Sequence, residues 1–360
     1  MTAPARPRPR WRDVEDRLLG VDLALHGVAV CRILIGLALL GLLATNFGAR
    51  HVLWGEASVW VDPYRATNSF EPWLWNLGAL PPALFTTVYL AVMACAVAFV
   101  VGWRAWLFGP LLWLGSWQLV ELNPLLGDQG DNIARIGLLL LLFTRNSARW
   151  SFDADRAALG VPGAFAYLVG DRWGLKQYVD VADLRRLRTA VHNLAVIVLA
   201  VQVVTIYVAA GFYKVQGGPW QYGTALYYPL QLDEFRPFPF LNDLLPGLPV
   251  IMAVSTMAVV AVQLFFPFLL LHRQSRRFAL VAVVLMHLGI AVLMGLPWFS
   301  LSMVAFDALF VSTATYLVVQ ERAIGAWEWS VIRIERTRSR RGQRVLARHE
   351  AGLHADRAEP

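Results

Sequence analysis

Cysteine is nearly absent: Cys31 and Cys95 are the only two in 360 residues, and each sits inside an apolar run. That excludes a disulfide framework, a CxxC redox pair and a cysteine metal site. No second histidine or carboxylate stands at metal-ligand spacing from His287, so no protein-bound metal is expected. A nucleophile elbow, a phosphate-binding glycine loop and a GxGxxG turn are missing as well, which removes the chemistries they carry. Internal repeats and low-complexity stretches are also lacking, and without an inverted repeat a transporter is the weaker reading. Charge is scarce too, at 16% of residues against 57% hydrophobic, far too apolar a balance for a soluble domain of this length.

What is present is a series of apolar blocks. Runs of a length that crosses a bilayer lie near 27–48, 82–103, 105–122, 190–213, 248–271, 278–296 and 299–320, with a shorter one near 131–146. They predict an all-α integral membrane protein of about eight transmembrane helices. The first run is read as a retained helix, because it is long for a signal peptide and no small-x-small site closes it. Residues 1–26 and 321–360 then form basic tails that touch anionic lipid, and 27–320 form one transmembrane domain. The stretch "WVDPYRATNSFEPWLWNLGALP" within 49–81 is an external loop with tryptophans at headgroup level.

In this arrangement 26 of the 32 Lys and Arg fall on one side. Arg50, Arg65, Lys214 and Arg236 fall on the other, and Arg32 and Arg135 lie within spans. The positive-inside rule therefore predicts that both termini are cytoplasmic, with 145–189 as the largest cytoplasmic connection. These loops account for the basic pI, and no aromatic-interleaved basic motif points to nucleic acid. If the run near 131–146 failed to span, everything after it would flip.

Charges inside a bilayer need a partner or a route to water. Arg32 lies near the start of the first span, so it either snorkels to the cytoplasmic surface or makes a structural ion pair. In "ELNPLLGDQGDNIARIGLLLLLF", Asp131 and Arg135 stand four apart on one face in acid-before-base order. Asp128 and Asn132 extend this cluster, which is either an interhelical staple or a polar wall for a substrate entering from outside. His287 lies mid-span in the seventh run and Asp307 mid-span in the eighth. A lone histidine there is a core residue or a ligand contact.

Lys214 ends the fifth span on the outer side, after Tyr207, Ala210 and Gly211. It is one of two lysines in a chain that otherwise uses arginine. One reading is an interfacial snorkelling lysine. The other is a base, since a lysine half-buried in apolar surroundings loses the solvation that favours its charged form, and arginine cannot do that chemistry.

At "YVAAGFYKVQGGPW", with "CRILIGLALL", "GDQGDNIARIGLLLLLF" and "RWSFD", the chain resembles the HTTM family, the transmembrane module shared with vitamin K-dependent gamma-glutamyl carboxylase. The likeness runs from about residue 20 to 320, and its most specific piece is the spacing of Tyr207, Ala210, Gly211, Lys214 and Trp220. The resemblance implies that Lys214 is a base that deprotonates a reduced vitamin K or menaquinone-type quinol on the extracytoplasmic side. In the carboxylase the quinol then reacts with oxygen to give a strong base that removes a glutamate γ-proton before CO₂ adds. Tyr207 and Trp220 would shape the pocket, Asp131, Asn132 and Arg135 would order its outer wall, and His287 would contact the ligand. Two departures stand out. Val120, Glu121 and Leu122 occupy the stretch where the carboxylase's additional histidine is sought, and only about 40 basic residues follow the last run. Peptide carboxylation is therefore not expected. The alternative is a non-catalytic membrane partner for maturation, export or immunity of another protein, working beside a thiol-oxidoreductase.

The predicted topology is tested by labelling with a membrane-impermeant maleimide. A cysteine introduced as Gly160→Cys should react only after the cytoplasmic face is opened, and Gly217→Cys should react from outside; reaction of position 160 from outside would overturn the arrangement.

Overall fold

The computed structural model describes Glu15 and residues 18–58, 77–161 and 180–325. The basic tails apart from 18–26 and 321–325, the loop tryptophans at 60, 73 and 75, and the middle of the 145–189 connection lie outside the described residues. Every regular element described is helical. The principal helices are α1 (Leu25–Thr45), α2 (Pro82–Val101), α3 (Ala105–Leu122), α4 (Gln129–Leu142), α5 (Val181–Val215), α6 (Pro249–Leu269), α7 (Arg273–Leu293) and α8 (Pro297–Asp307).

Local chemistry explains the boundaries. Proline opens α2, α6 and α8, where its missing N–H costs nothing, and α2 stops at Gly102 with φ 68°. Asp128 and Asp131 form a reciprocal capping box at the start of α4. A distant residue caps α3: Asp153 accepts from the backbone N–H groups of Arg104 and Ala105 at 2.9 and 3.1 Å.

Each predicted run overlaps a helix, but the eight are not equal spans. Five are long and apolar enough to cross a membrane: α1, α2, α5, α6 and α7. The other three are shorter or more polar. The 14 residues of α4 rise about 21 Å and the 11 of α8 about 16 Å, against a hydrocarbon core of about 30 Å, and α3 carries Pro110, Gln118 and Glu121. The 299–320 run is not one helix, because the α-helix ends at Asp307 and a 3₁₀ turn covers Ala308–Phe310. A separate unit begins at Ser312, and its described part is a helix over Thr313–Gly325. The lipid-facing character of the long helices is plain on α6 and α7, which leave Val250, Val254, Phe265, Val281, Leu285 and Leu288 exposed. A helix apolar on its outer face belongs in lipid. The protein is a polytopic membrane protein.

Inside the first unit, contacts give each helix its direction. Trp298 at the start of α8 donates to Thr45 at the end of α1, and Gly27 at the other end of α1 lies against Ala308. The Tyr89 hydroxyl donates to the Leu43 carbonyl, so α2 runs back along α1. One end of the bundle thus gathers the starts of α1, α3, α5 and α7, and with them the described arginines 104, 145, 149, 156, 185, 186, 188, 273, 276 and 277. The opposite end holds Lys214 and the start of α4.

Arg32 neither snorkels nor pairs with a carboxylate. It is 0% exposed and donates to the backbone carbonyls of Asn146 and Trp150, at 3.2 and 2.5 Å. The connection after α4 has carbonyls that no helix satisfies, and a guanidinium with five N–H groups is suited to collect them. Near it, Asn193 accepts from the Leu23 N–H and donates to the Leu18 and Val21 carbonyls. His192 joins the Arg145 N–H to the Leu23 carbonyl, and Asp22 pairs with Arg145 and Thr189. Together these ties fasten the N-terminal segment to α5.

Small residues seat α8 against its neighbours. A Cβ on Gly137 of α4 would meet the Phe306 ring at 2.2 Å, and one on Gly41 of α1 would meet Trp298 at 2.2 Å. Gly137→Val should therefore cost about 1–3 kcal/mol by overpacking. Gly289→Ala, at a site with nothing within 4 Å, should cost nothing. Thermal unfolding in detergent distinguishes them, and equal melting points would contradict this packing.

Candidate functional site

Tyr207, Gly211 and Lys214 follow one another up a single face of α5, at helical spacings of four and three residues. Gly211 earns its place by contact: a Cβ there would meet the Leu264 backbone nitrogen at 3.0 Å. This close approach draws α6 against α5 and brings the Phe266 ring to 4.6 Å from the Tyr207 ring.

Tyr207 is the centre of a buried polar cluster. Its hydroxyl donates to Oδ2 of Asp307 on α8 at 2.8 Å. The His287 ring on α7 lies 6.3 Å from the Tyr207 ring and 5.9 Å from Phe299. On α6, Gln263 reaches the sulfur of Met286, the residue before His287, at 3.7 Å. Four helices thus contribute one polar side chain each.

Most of this polarity is unmatched within the protein. Both ring nitrogens of His287, Oδ1 of Asp307 and Oε1 of Gln263 are buried and make no hydrogen bond to the described residues. His287 and Asp307 are each 3% exposed. An unpaired buried polar atom costs about 1–3 kcal/mol, so these three residues oppose stability, which makes the cluster a candidate site.

Lys214 stands in the last turn of α5. It is half-buried, and its Nζ lies 5.2 Å from the centre of the Trp220 ring. Trp220 is held there by the short helix Gly218–Gln221. No carboxylate pairs with Lys214 among the described residues. A cation over an indole face gains about 1 kcal/mol while leaving the nitrogen free for a hydrogen bond.

Asp131, Asn132 and Arg135 fall elsewhere, near the start of α4 and the end of α3. The expected Asp131–Arg135 pair is not made. Asp131 accepts from the Asp128 N–H at 3.0 Å, because the capping box turns it towards the helix start. Arg135 turns instead to Glu121 on α3 at 2.8 Å and to Asn132 at 3.1 Å, while Trp117 donates to the same Glu121 oxygen at 3.0 Å. Burial pushes the Asp128 carboxyl above its ordinary pKa, against the Asp131 and Gly130 N–H groups that hold it down.

Two adjoining cavities of about 190 and 380 Å³ open here, sharing Leu39, Val120, Gly127, Asp128 and Asp131. Lys214, Tyr207, Trp220 and His287 line neither one. Phe299 is the common wall, lining the smaller cavity while it stands against His287.

Sequence reasoning passed over Gln263, Glu121, His192 and Asn193, and noted Asp307 without giving it a role. Gln263 was visible as the one amide in "VVAVQLFFPF". Apart from Trp117, four residues before Glu121, the partners of Glu121, His192 and Asn193 lie 14 to 175 residues away, beyond any local pattern.

The fold and the cluster define a polytopic membrane protein with a buried polar site under an aromatic-bound lysine. Residues 177–314, which contain α5 to α8 and every residue of that cluster, match the HTTM domain, and the relation to the vitamin K-dependent carboxylase accords with it. No curated protein and no solved structure matches the chain.

Tyr207→Phe should destabilise the protein by about 1–3 kcal/mol, because it strands the Asp307 carboxyl. In an Asp307→Leu background the same change should cost much less. Chemical unfolding of the four proteins in micelles gives the coupling, and equal penalties in both backgrounds would show the two groups to be independent.

Proposed function

We propose that this protein is a cell-membrane enzyme-like module that binds a reduced naphthoquinone of the menaquinone or vitamin K type among α5 to α8, with Lys214 as the base for one hydroxyl. The observation that carries the reading is the placement of Lys214: half-buried, unpaired with carboxylate, and over the Trp220 ring at 5.2 Å. The residues suit such a ligand. Aromatic rings of Tyr207, Trp220, Phe266 and Phe299 offer planar apolar walls, and the unpartnered atoms of His287 and Asp307 offer a few polar contacts among them. The bound quinol would supply the reducing power and oxygen reactivity that the carboxylase relation implies.

The chain's own residues have separable tasks. Lys214 receives a proton at Nζ, and the Trp220 face stabilises the ammonium that results. The rings of Tyr207, Phe266 and Phe299 exclude water that would quench a strong base. Asp131, Asn132 and Arg135 form the wall of an outer vestibule, separated from the buried cluster by Phe299. In this reading all eight principal segments cross, the arginine-rich end is cytoplasmic with both termini, and α4 and α8 need not meet the full lipid thickness because protein surrounds them. No metal takes part.

A second reading, a non-catalytic membrane partner for an exported or matured protein beside a thiol-oxidoreductase, is favoured by the outer aromatics Phe212, Tyr213, Tyr222 and Phe240, all more than half exposed. It predicts that Lys214 is dispensable.

The deciding assay is oxygen-dependent conversion of a reduced naphthoquinone to its epoxide by purified protein in lipid. Wild type should form epoxide, and Lys214→Ala should form none while melting at the wild-type temperature. Equal turnover by both would contradict the role of Lys214; no turnover by wild type with quinol bound would favour the partner reading.

A further inference from the structure

The quinol reading gives Lys214 one hydroxyl and leaves the polar groups below it without a task. Asp307 is the least explained of them. It sits 3% exposed on α8, and Tyr207 satisfies only one of its two oxygens. A carboxyl in that position is costly whether charged or neutral, since a carboxylate needs a further donor and a carboxylic acid a further acceptor. Among the described residues His287, 6.3 Å from the Tyr207 ring, has no partner at either nitrogen, and Gln263 has none at its oxygen. Packing alone would favour apolar residues at all three positions.

The vertical arrangement is informative. Tyr207 lies seven residues before Lys214 on α5, which is about 10 Å along the helix axis. The Lys214 side chain is long enough to reach back along the face towards Tyr207, as lysine stems run along apolar surfaces. Between the two levels stand the Tyr207 and Phe266 rings and the Gly211–Leu264 contact, all apolar surface. The site therefore has two polar poles, one basic and outer, one acidic and inner, across an aromatic middle.

We propose that Asp307 is the second recognition group of this site: its free oxygen Oδ1 pairs with the ligand hydroxyl remote from Lys214, with Tyr207 holding the carboxyl in place. The inference rests on the quinol reading and adds to it the selection of a para-diol held lengthwise, one hydroxyl at each pole. Tyr207 is then a positioning residue, and Asp307 determines specificity for the second hydroxyl.

The test measures binding of a reduced naphthoquinone and of its two monomethyl ethers to protein in nanodiscs, kept anaerobic. The variant is Tyr207→Phe with Asp307→Leu, which removes both partners of the buried hydrogen bond and so strands neither. It should bind the diol about tenfold or more weakly. It should weaken one ether as much and leave the other, already blocked at the inner pole, unchanged. Lys214→Ala should show the converse pattern. Loss of affinity for all three ligands alike, or for none, would overturn the role of Asp307 while leaving the quinol reading intact. Failure of wild type to bind any of the three would overturn the quinol reading itself, and the inference with it. If the double variant does not fold, infrared difference spectra of wild type decide: a buried carboxyl C=O band should shift on binding the diol and stay in place with the inner-blocked ether, and no shift with either would refute the proposal.

Discussion

The hydrogen bond from Tyr207 to Asp307 joins two helices at a depth where neither group has solvent to fall back on. A carboxyl among apolar helices requires a partner, and that requirement fixes the rotation of α8 relative to α5. The other contacts of α8 serve the same end. Gly27 and Gly41 admit it to α1, and Gly130 and Gly137 admit it to α4. Helices outside the HTTM match thus hold the helix that presents Asp307, and the buried cluster is a property of the whole first unit.

Buried polar groups are matched unevenly within the bundle. At the arginine-rich end several buried groups find partners: Arg32 meets two carbonyls through its terminal nitrogens, Asp22 meets Arg145 and Thr189, and His192 and Asn193 meet the N-terminal segment. Such satisfied networks rigidify. The matching fails at His287, Gln263 and Asp307, and also at Gln118, Thr256 and Ser300.

Hydrophobic periodicity made the helices legible, since all eight principal helices overlap the runs read from composition, and the arginines gather at one end as the loop charges required. Helix lengths were not legible where tertiary structure sets them. The break after Asp307 and the brevity of α4 follow from neighbours that shield them, and a hydropathy run carries no record of those neighbours. Side-chain pairings were harder still. The spacing of Asp131 and Arg135 suggested a local pair, but the capping box claimed one and Glu121 of α3 claimed the other. Arg32 was a recognisable anomaly whose carbonyl partners lie 114 and 118 residues on. For Lys214 the isolation of a lysine in an arginine-rich chain singled out the position, while its unpaired neighbours His287, Gln263 and Asp307 stand on three other helices.

The central claim is that Lys214 and the Tyr207–Asp307–His287 cluster bound one ligand site, distinct from the outer cavities by α3 and α4. Photoaffinity labelling with a naphthoquinone that carries a small diazirine, followed by peptide mapping, tests it most directly. The account predicts adducts on 207–220 and 287–307 that an excess of unlabelled quinol suppresses. Competable adducts confined to 116–135 would place the ligand in the outer cavities and contradict it.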